Sequence, residues 1–113
     1  MWIDINEEAD RILIALPYPV FFRRPDTWDE LPTISYYDMN TSGSFSTDNT
    51  EDIYKGLLVV DVWSKTPSKG ASVAQEIKEV MNTAGWWCEL NRFVDKTDGV
   101  CHRTMRFGKE FLN

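Results

Sequence analysis

Cysteine and histidine are scarce in this chain, which has two Cys (Cys88 and Cys101) and one His (His102) among 113 residues. Two cysteines make no disulfide framework, so a reducing interior is the expected setting. Zinc takes about four ligands, and two Cys with one His at these spacings match that need poorly. Cationic excess is missing as well. Twelve Lys and Arg stand against 18 Asp and Glu, a net charge of −6, so the electrostatic footprint of a general nucleic-acid binder is absent. No apolar run approaches the roughly 20 residues of a membrane helix. The acidic, polar start MWIDINEEAD is not a secretory signal. There is no glycine-rich phosphate loop, no HExxH and no GxSxG.

What is present fits one globular domain, 1–113, with 42% hydrophobic and 13% aromatic residues. A chain of this length buries roughly two-thirds of its unfolded surface on folding, enough for a core without metal or disulfide staples. Five Trp are hard to bury together in so small a core, which points to some of them at a subunit contact. The charge is uneven. Through Ser64 there are 12 acidic and 4 basic residues, from Lys65 onward 6 and 8. That asymmetry is compatible with a head-to-tail assembly in which an acidic patch meets a basic one.

The chain is organised around Asp52 to Ala84. In Ile53 to Trp63, Leu58, Val60 and Val62 point one way in an extended backbone, and Leu57, Val59, Asp61 and Trp63 the other. Apolar residues on both faces predict a central strand. Thr66-Pro67-Ser68 breaks it, since proline has no amide hydrogen for the ladder. Val73, Ala74, Ile77, Val80, Met81 and Ala84 then mark one helical face. Ser68 or Ser72 is the expected N-cap, and Gly85 the left-handed stop.

Before this unit, Ile5, Ala9, Ile12, Leu13 and Leu16 predict a helix capped by Asp4 or Asn6 and stopped by Pro17. Tyr18 to Arg23 and Thr33 to Met39 read as strands around a Pro25–Pro32 loop. Asn40 to Glu51 has no period and reads as a polar loop or hairpin tip. Phe45 in its middle either tucks back onto the domain or orders against a partner. After the unit, Trp86 to Asp95 and Val100 to Phe107 read as strands joined by Lys96-Thr97-Asp98-Gly99. Placing Asp95 opposite Val100 aligns Val94 with Cys101, Leu90 with Met105 and Cys88 with Phe107 in one apolar stripe. It also sets Arg92 against Arg103 and leaves both thiols free. The expected class is α+β, in the order α-β-β-β-α-β-β, a largely antiparallel sheet with two helices packed on one face.

Chemical sites are few. His102 with Cys88 or Cys101 would make a thiol–imidazole couple, although a structural histidine is the plainer reading. Asp48, Glu51 and Asp52 form an acidic cluster without the alternating spacing of a calcium loop. Asp61, midway along an apolar strand, needs either a Lys or Arg partner from the hairpin or a neighbouring subunit, or a place on an uncovered face. Neither a catalytic group nor a cofactor is expected.

Two segments resemble the tail terminator (tail completion) proteins of long-tailed bacteriophages and related prophage components. One is VVDVWSKTPSKGASVAQEIKEVM, residues 59–81, similar to that family's strand with an aspartate-x-aromatic-serine end, short loop and helix. The other is FVDKTDGVCHRTMRF, residues 93–107, similar to its closing turn and histidine-bearing strand. Here Asp98 separates the threonine from Gly99, and Cys101 stands where an aromatic is usual. Leu31-Pro32 and Pro19-Val20-Phe21-Phe22 fall in the same order. The resemblance implies a structural protein without an active site. It implies a homo-oligomer, a hexameric ring that caps the tail tube, stops polymerisation of the major tail tube protein and docks on the head–tail connector. It also implies a lumen through which DNA passes without specific binding. The implied location is the virion tail, assembled in the bacterial host's cytoplasm. Candidate interface residues are then Phe45, Asp48, Glu51, Asp52, Asp61, Trp63, Trp86, Trp87, Arg92 and Arg103. Two readings of other classes stay open: a small binding or regulatory module dimerising through the Trp-rich C-terminal hairpin, and a thiol enzyme.

Overall fold

The computed structural model describes residues 2–39, 44–46 and 53–112. Its elements are β1 (Trp2–Asp4), α1 (Ile5–Leu13), β2 (Val20–Phe22), β3 (Thr33–Asp38), β4 (Ser44–Ser46), β5 (Ile53–Ser64), α2 (Pro67–Thr83), β6 (Trp87–Thr97) and β7 (Val100–Leu112). Five strands form one sheet in the order β2-β3-β5-β7-β6. Only the β2–β3 pair is parallel. The expected α+β class and order are found, with two short strands added. β1 leads directly into α1 and pairs with β4, Ile3 opposite Phe45.

Both helices lie on one face. Ile5, Ala9, Ile12 and Leu13 of α1 and Val73, Ala74, Ile77 and Met81 of α2 are buried against Ile34, Tyr36, Leu58, Val60, Val62, Met105 and Phe107 of the sheet. Each fully buried Val, Leu, Ile, Met or Phe among them contributes about 1.5–3 kcal/mol. The alternation read in β5 therefore holds: Leu58, Val60 and Val62 face the helices from the central strand of five.

The helix ends follow local chemistry. Asp4 caps α1, its carboxylate accepting from the Glu7 N–H at 3.1 Å. The helix stops at Leu13 rather than at Pro17. The N–H groups of Ala15 and Leu16 bond three residues back, to Ile12 and Leu13, a tightened last turn that ends the α geometry before the proline acts. The cap of α2 is Thr66, whose hydroxyl accepts from the Lys69 N–H at 3.2 Å, and not Ser68 or Ser72. Pro67 both breaks the strand and opens the helix. At the first helical position its missing N–H costs nothing and its φ is already set. Gly85 follows α2 at φ 94°, as expected.

The hairpin register differs from the sequence expectation. Asp98 and Gly99 alone form the turn, at φ 51° and 79°, the two left-handed residues that a tight hairpin of matching twist requires. Thr97 therefore faces Val100, Lys96 faces Cys101 and Leu90 faces Arg106; of the expected pairs only Cys88 with Phe107 remains. Two bulges, at Glu89 and Val94, absorb the difference. Arg92 faces Thr104 and Arg103 faces Phe93, so the like-charge pair does not form. Both cysteines are free.

Candidate functional site

The face of the sheet away from the helices carries a polar cluster. The pleat that sends Leu58, Val60 and Val62 to the helices sends Val59, Asp61 and Trp63 to this side, with register partners Ser35 and His102. Asp61 is 7% exposed there, and Thr33 and Ser35 are fully buried. The expectation of an uncovered Asp61 is thus corrected, and its partner is neither Lys nor Arg. His102 Nε2 lies 2.7 Å from Asp61 Oδ1, a diagonal contact between neighbouring strands. Trp63 Nε1 donates to Ser35 Oγ at 2.9 Å. The Trp63 and His102 rings stack at 4.0 Å, 8° from parallel. The buried Asp61 carboxylate, the Ser35 hydroxyl and the Trp63 indole N–H are thus each held by a partner, as burial demands.

The loop after β2 covers this end of the face. Arg23, at φ 70°, donates its N–H to the Tyr36 carbonyl at 2.7 Å, which closes β2 after three residues. The loop then carries Trp28 onto Trp63, ring centroids 5.1 Å apart and tilted by 56°. Thr33 Oγ1 donates to the Pro19 carbonyl at 3.1 Å and pins the loop's other end. A cleft of about 520 Å³ remains between this loop and the hairpin turn, lined by Arg24, Trp28, Trp63, Asp95, Thr97, Asp98, Val100 and His102. Its volume falls in the usual range for a ligand site, about 300–1,000 Å³.

A carboxylate-oriented imidazole is half of a catalytic arrangement, but the thiols do not complete it. Cys101 is next to His102 in β7 and so points to the opposite face. It is buried, its S–H directed at the Lys65 carbonyl at 3.7 Å. Cys88 lies opposite Phe107 and directs its S–H at the Leu90 carbonyl at 3.3 Å. The thiol–imidazole couple is not assembled. Among the described residues no three His, Cys, Asp or Glu gather as a metal site, and no helix is long and apolar enough to cross a membrane.

The other expected interface residues scatter. Trp86 is core, 1% exposed, with its Nε1 donating to Glu8 Oε1 at 3.3 Å; the aromatic surplus is partly absorbed there. Trp87 is 39% exposed. Its indole lies over Gly108, where a Cβ would come within 2.9 Å of the ring, and it donates to Glu89 Oε2 at 3.0 Å. Lys55 pairs with Glu89 at 2.6 Å, and its hydrogen bond, followed by that of Trp87, holds the Glu89 carboxyl below its ordinary range. Arg92 is exposed. Arg103 is half-buried, donating to Asn91 Oδ1 at 3.0 Å while its Nε has no partner among the described residues. Phe45 sits in β4; Asp48, Glu51 and Asp52 lie outside the described residues.

Of the large apolar side chains exposed among the described residues, Phe22, Tyr37 and Met39 lie along the β2–β3 edge and Trp87, Phe93 and Val94 along β6, while Ile14 and Trp28 lie elsewhere. Neither set shares one face: Phe22 pairs with Tyr36 on the helix side while Tyr37 points the other way, and Trp87 and Phe93 pair with Gly108 and Arg103, which face opposite sides of β7. Sequence reasoning missed Trp28, Arg24, Asp95 and Asp98 as a group. Trp28 carried a signal, a large apolar ring inside a polar loop, where solvent exposure wastes it. The sequence matches no protein-family model and no curated protein.

Proposed function

We propose that the protein is a tail terminator subunit of a long-tailed bacteriophage or prophage. In this reading six copies close into a ring on the tail tube, end polymerisation of the tube protein and meet the head–tail connector, while DNA passes through the lumen without specific contacts. Its place is the virion tail, reached by assembly in the host cytoplasm.

The observation that carries this reading is the pair of unlike apolar edges. A two-fold dimer buries one patch against itself, whereas a head-to-tail contact joins two different patches and closes into a ring when the rotation allows. The β2–β3 edge, with Phe22, Tyr37 and Met39, and the β6 edge, with Trp87, Phe93 and Val94, are two unlike surfaces of this kind, each with exposed apolar side chains on both faces of the sheet. The bulges at Glu89 and Val94 interrupt the β6 ladder, so the contact runs through side chains and not through continuous strand addition. The segments similar to tail terminators, 59–81 and 93–107, fall on β5–α2 and on the hairpin, which carries one of the two edges.

A second reading has one observation in its favour. Trp87, Phe93 and Val94 are exposed along a single strand of the hairpin, an edge that two copies of a small binding module could share in an isologous dimer. Light scattering over a concentration series separates the two. The ring predicts growth toward six times the 13.1 kDa chain mass; a dimer of constant mass at every concentration refutes it.

A further inference from the structure

We propose that the cleft between the loop after β2 and the Asp98-Gly99 turn is a recognition site for an arginine side chain presented by a partner polypeptide. The site borders the β6 edge through Asp95 and Thr97, and the inference stands whether or not the chain closes into a ring.

The floor is built before any ligand arrives. Asp61 holds the His102 ring at 2.7 Å, His102 stacks under Trp63 at 4.0 Å, and Trp63 is tied to Ser35 at 2.9 Å. Trp28 leans on this stack and remains 41% exposed, offering indole surface to the cleft. Asp95 and Asp98 line the opposite wall. Neither takes part in an ion pair or side-chain hydrogen bond among the described residues. Two carboxylates, Asp95 and Asp98, thus share the lining with one cation, Arg24, while Asp61 lies behind His102 and does not line the cleft.

That combination selects among ligands by elementary chemistry. An anion meets two lining carboxylates against a single cation. An ammonium is a strongly hydrated point charge that gains little from a flat wall. A guanidinium is planar and weakly hydrated, and it lies on an indole while its N–H fork engages carboxylates. Carboxylates at a hairpin tip are ordinary by themselves; here they coincide with an aromatic wall and a buried carboxylate–imidazole pair in one cavity of about 520 Å³.

The test is a titration of the ¹⁵N-labelled full chain, followed through its indole N–H signals. The probes are Nα-acetyl-arginine amide, the matching lysine compound and the neutral isostere Nα-acetyl-citrulline amide. Saturable shifts of the Trp28 and Trp63 signals with the arginine compound are expected, with the other two binding about tenfold more weakly or less. The double substitution Asp95→Asn/Asp98→Asn, at exposed positions, should weaken arginine binding about fivefold or more while leaving the remaining indole signals in place. Arg24→Ala should not weaken it. No response to arginine, an equal response to citrulline, or undiminished binding by the Asp95/Asp98 variant overturns the proposal.

Discussion

Replacing His102 by Ala removes one member of the buried pair and leaves Asp61 Oδ1 without its 2.7 Å partner. A net hydrogen bond to a charged group contributes about 1.5–3 kcal/mol. The ring stacked on Trp63 at 4.0 Å adds about 0.5–1 kcal/mol. The His102 side chain is 23% exposed and that of Asp61 10%, so the lower part of the range applies, and His102→Ala should cost about 2–3 kcal/mol. Asp61→Asn keeps shape and a weaker hydrogen bond and should cost about 1–1.5 kcal/mol. The double variant should cost about the same as His102→Ala alone, a coupling of about 1–1.5 kcal/mol between the two positions. Urea unfolding of the four proteins, at constant m value, measures all three quantities. Additive single effects, within about 0.5 kcal/mol, would show that the two side chains do not act as a pair and would remove the built floor of the cleft.

Gly108→Ala places a Cβ within 2.9 Å of the Trp87 ring; the indole must lift from the sheet, costing about 1–2 kcal/mol and shifting its fluorescence toward that of a solvated ring. Thr66→Ala removes the α2 cap and should cost about 1 kcal/mol, read from the shift in urea midpoint. Burial, and after it the neighbouring Asp10 carboxylate, raises the Tyr36 hydroxyl from the ordinary 10.0 to about 12. Between those values the unfolded chain has lost a proton that the folded chain keeps, so stability falls as pH rises. Tyr36→Phe removes that slope, and its stability relative to the parent should improve by up to about 1 kcal/mol per pH unit across the window; parallel pH profiles of the two proteins would contradict the assignment.

Elements defined by period were legible in the sequence; elements defined by competition between local signals were not. The buried faces of α1, β5 and α2 follow from spacing alone, because Ile5, Ala9, Ile12 and Leu13, or Leu58, Val60 and Val62, have no other way to leave water together. The hairpin register follows turn chemistry and not the apolar stripe that alternation suggests. Asp98-Gly99 satisfies the two left-handed positions by itself, and bulges at Glu89 and Val94 cannot be read from alternation that they interrupt. Thr66 is hard to see as a cap in the sequence because Pro67 signals a strand break, whereas here the same proline also opens α2. At the site, the type of residue needed beside Asp61 was legible as a partner for a carboxylate, but its identity depended on a diagonal between β5 and β7 that only the true register sets. Trp86 and Trp87 are neighbours in sequence and opposite in burial, a difference of face that composition does not carry.

Mixing two edge variants tests the head-to-tail contact most directly. Phe22→Asp charges the β2–β3 edge, and Phe93→Asp charges β6. Each protein alone should be monomeric, since every contact would carry one charged partner. An equimolar mixture leaves one intact contact, the β6 edge of the first variant with the β2–β3 edge of the second, and should form a one-to-one heterodimer by light scattering. A mixture that stays monomeric, or a Phe22→Asp variant that dimerises alone through β6, would contradict the ring.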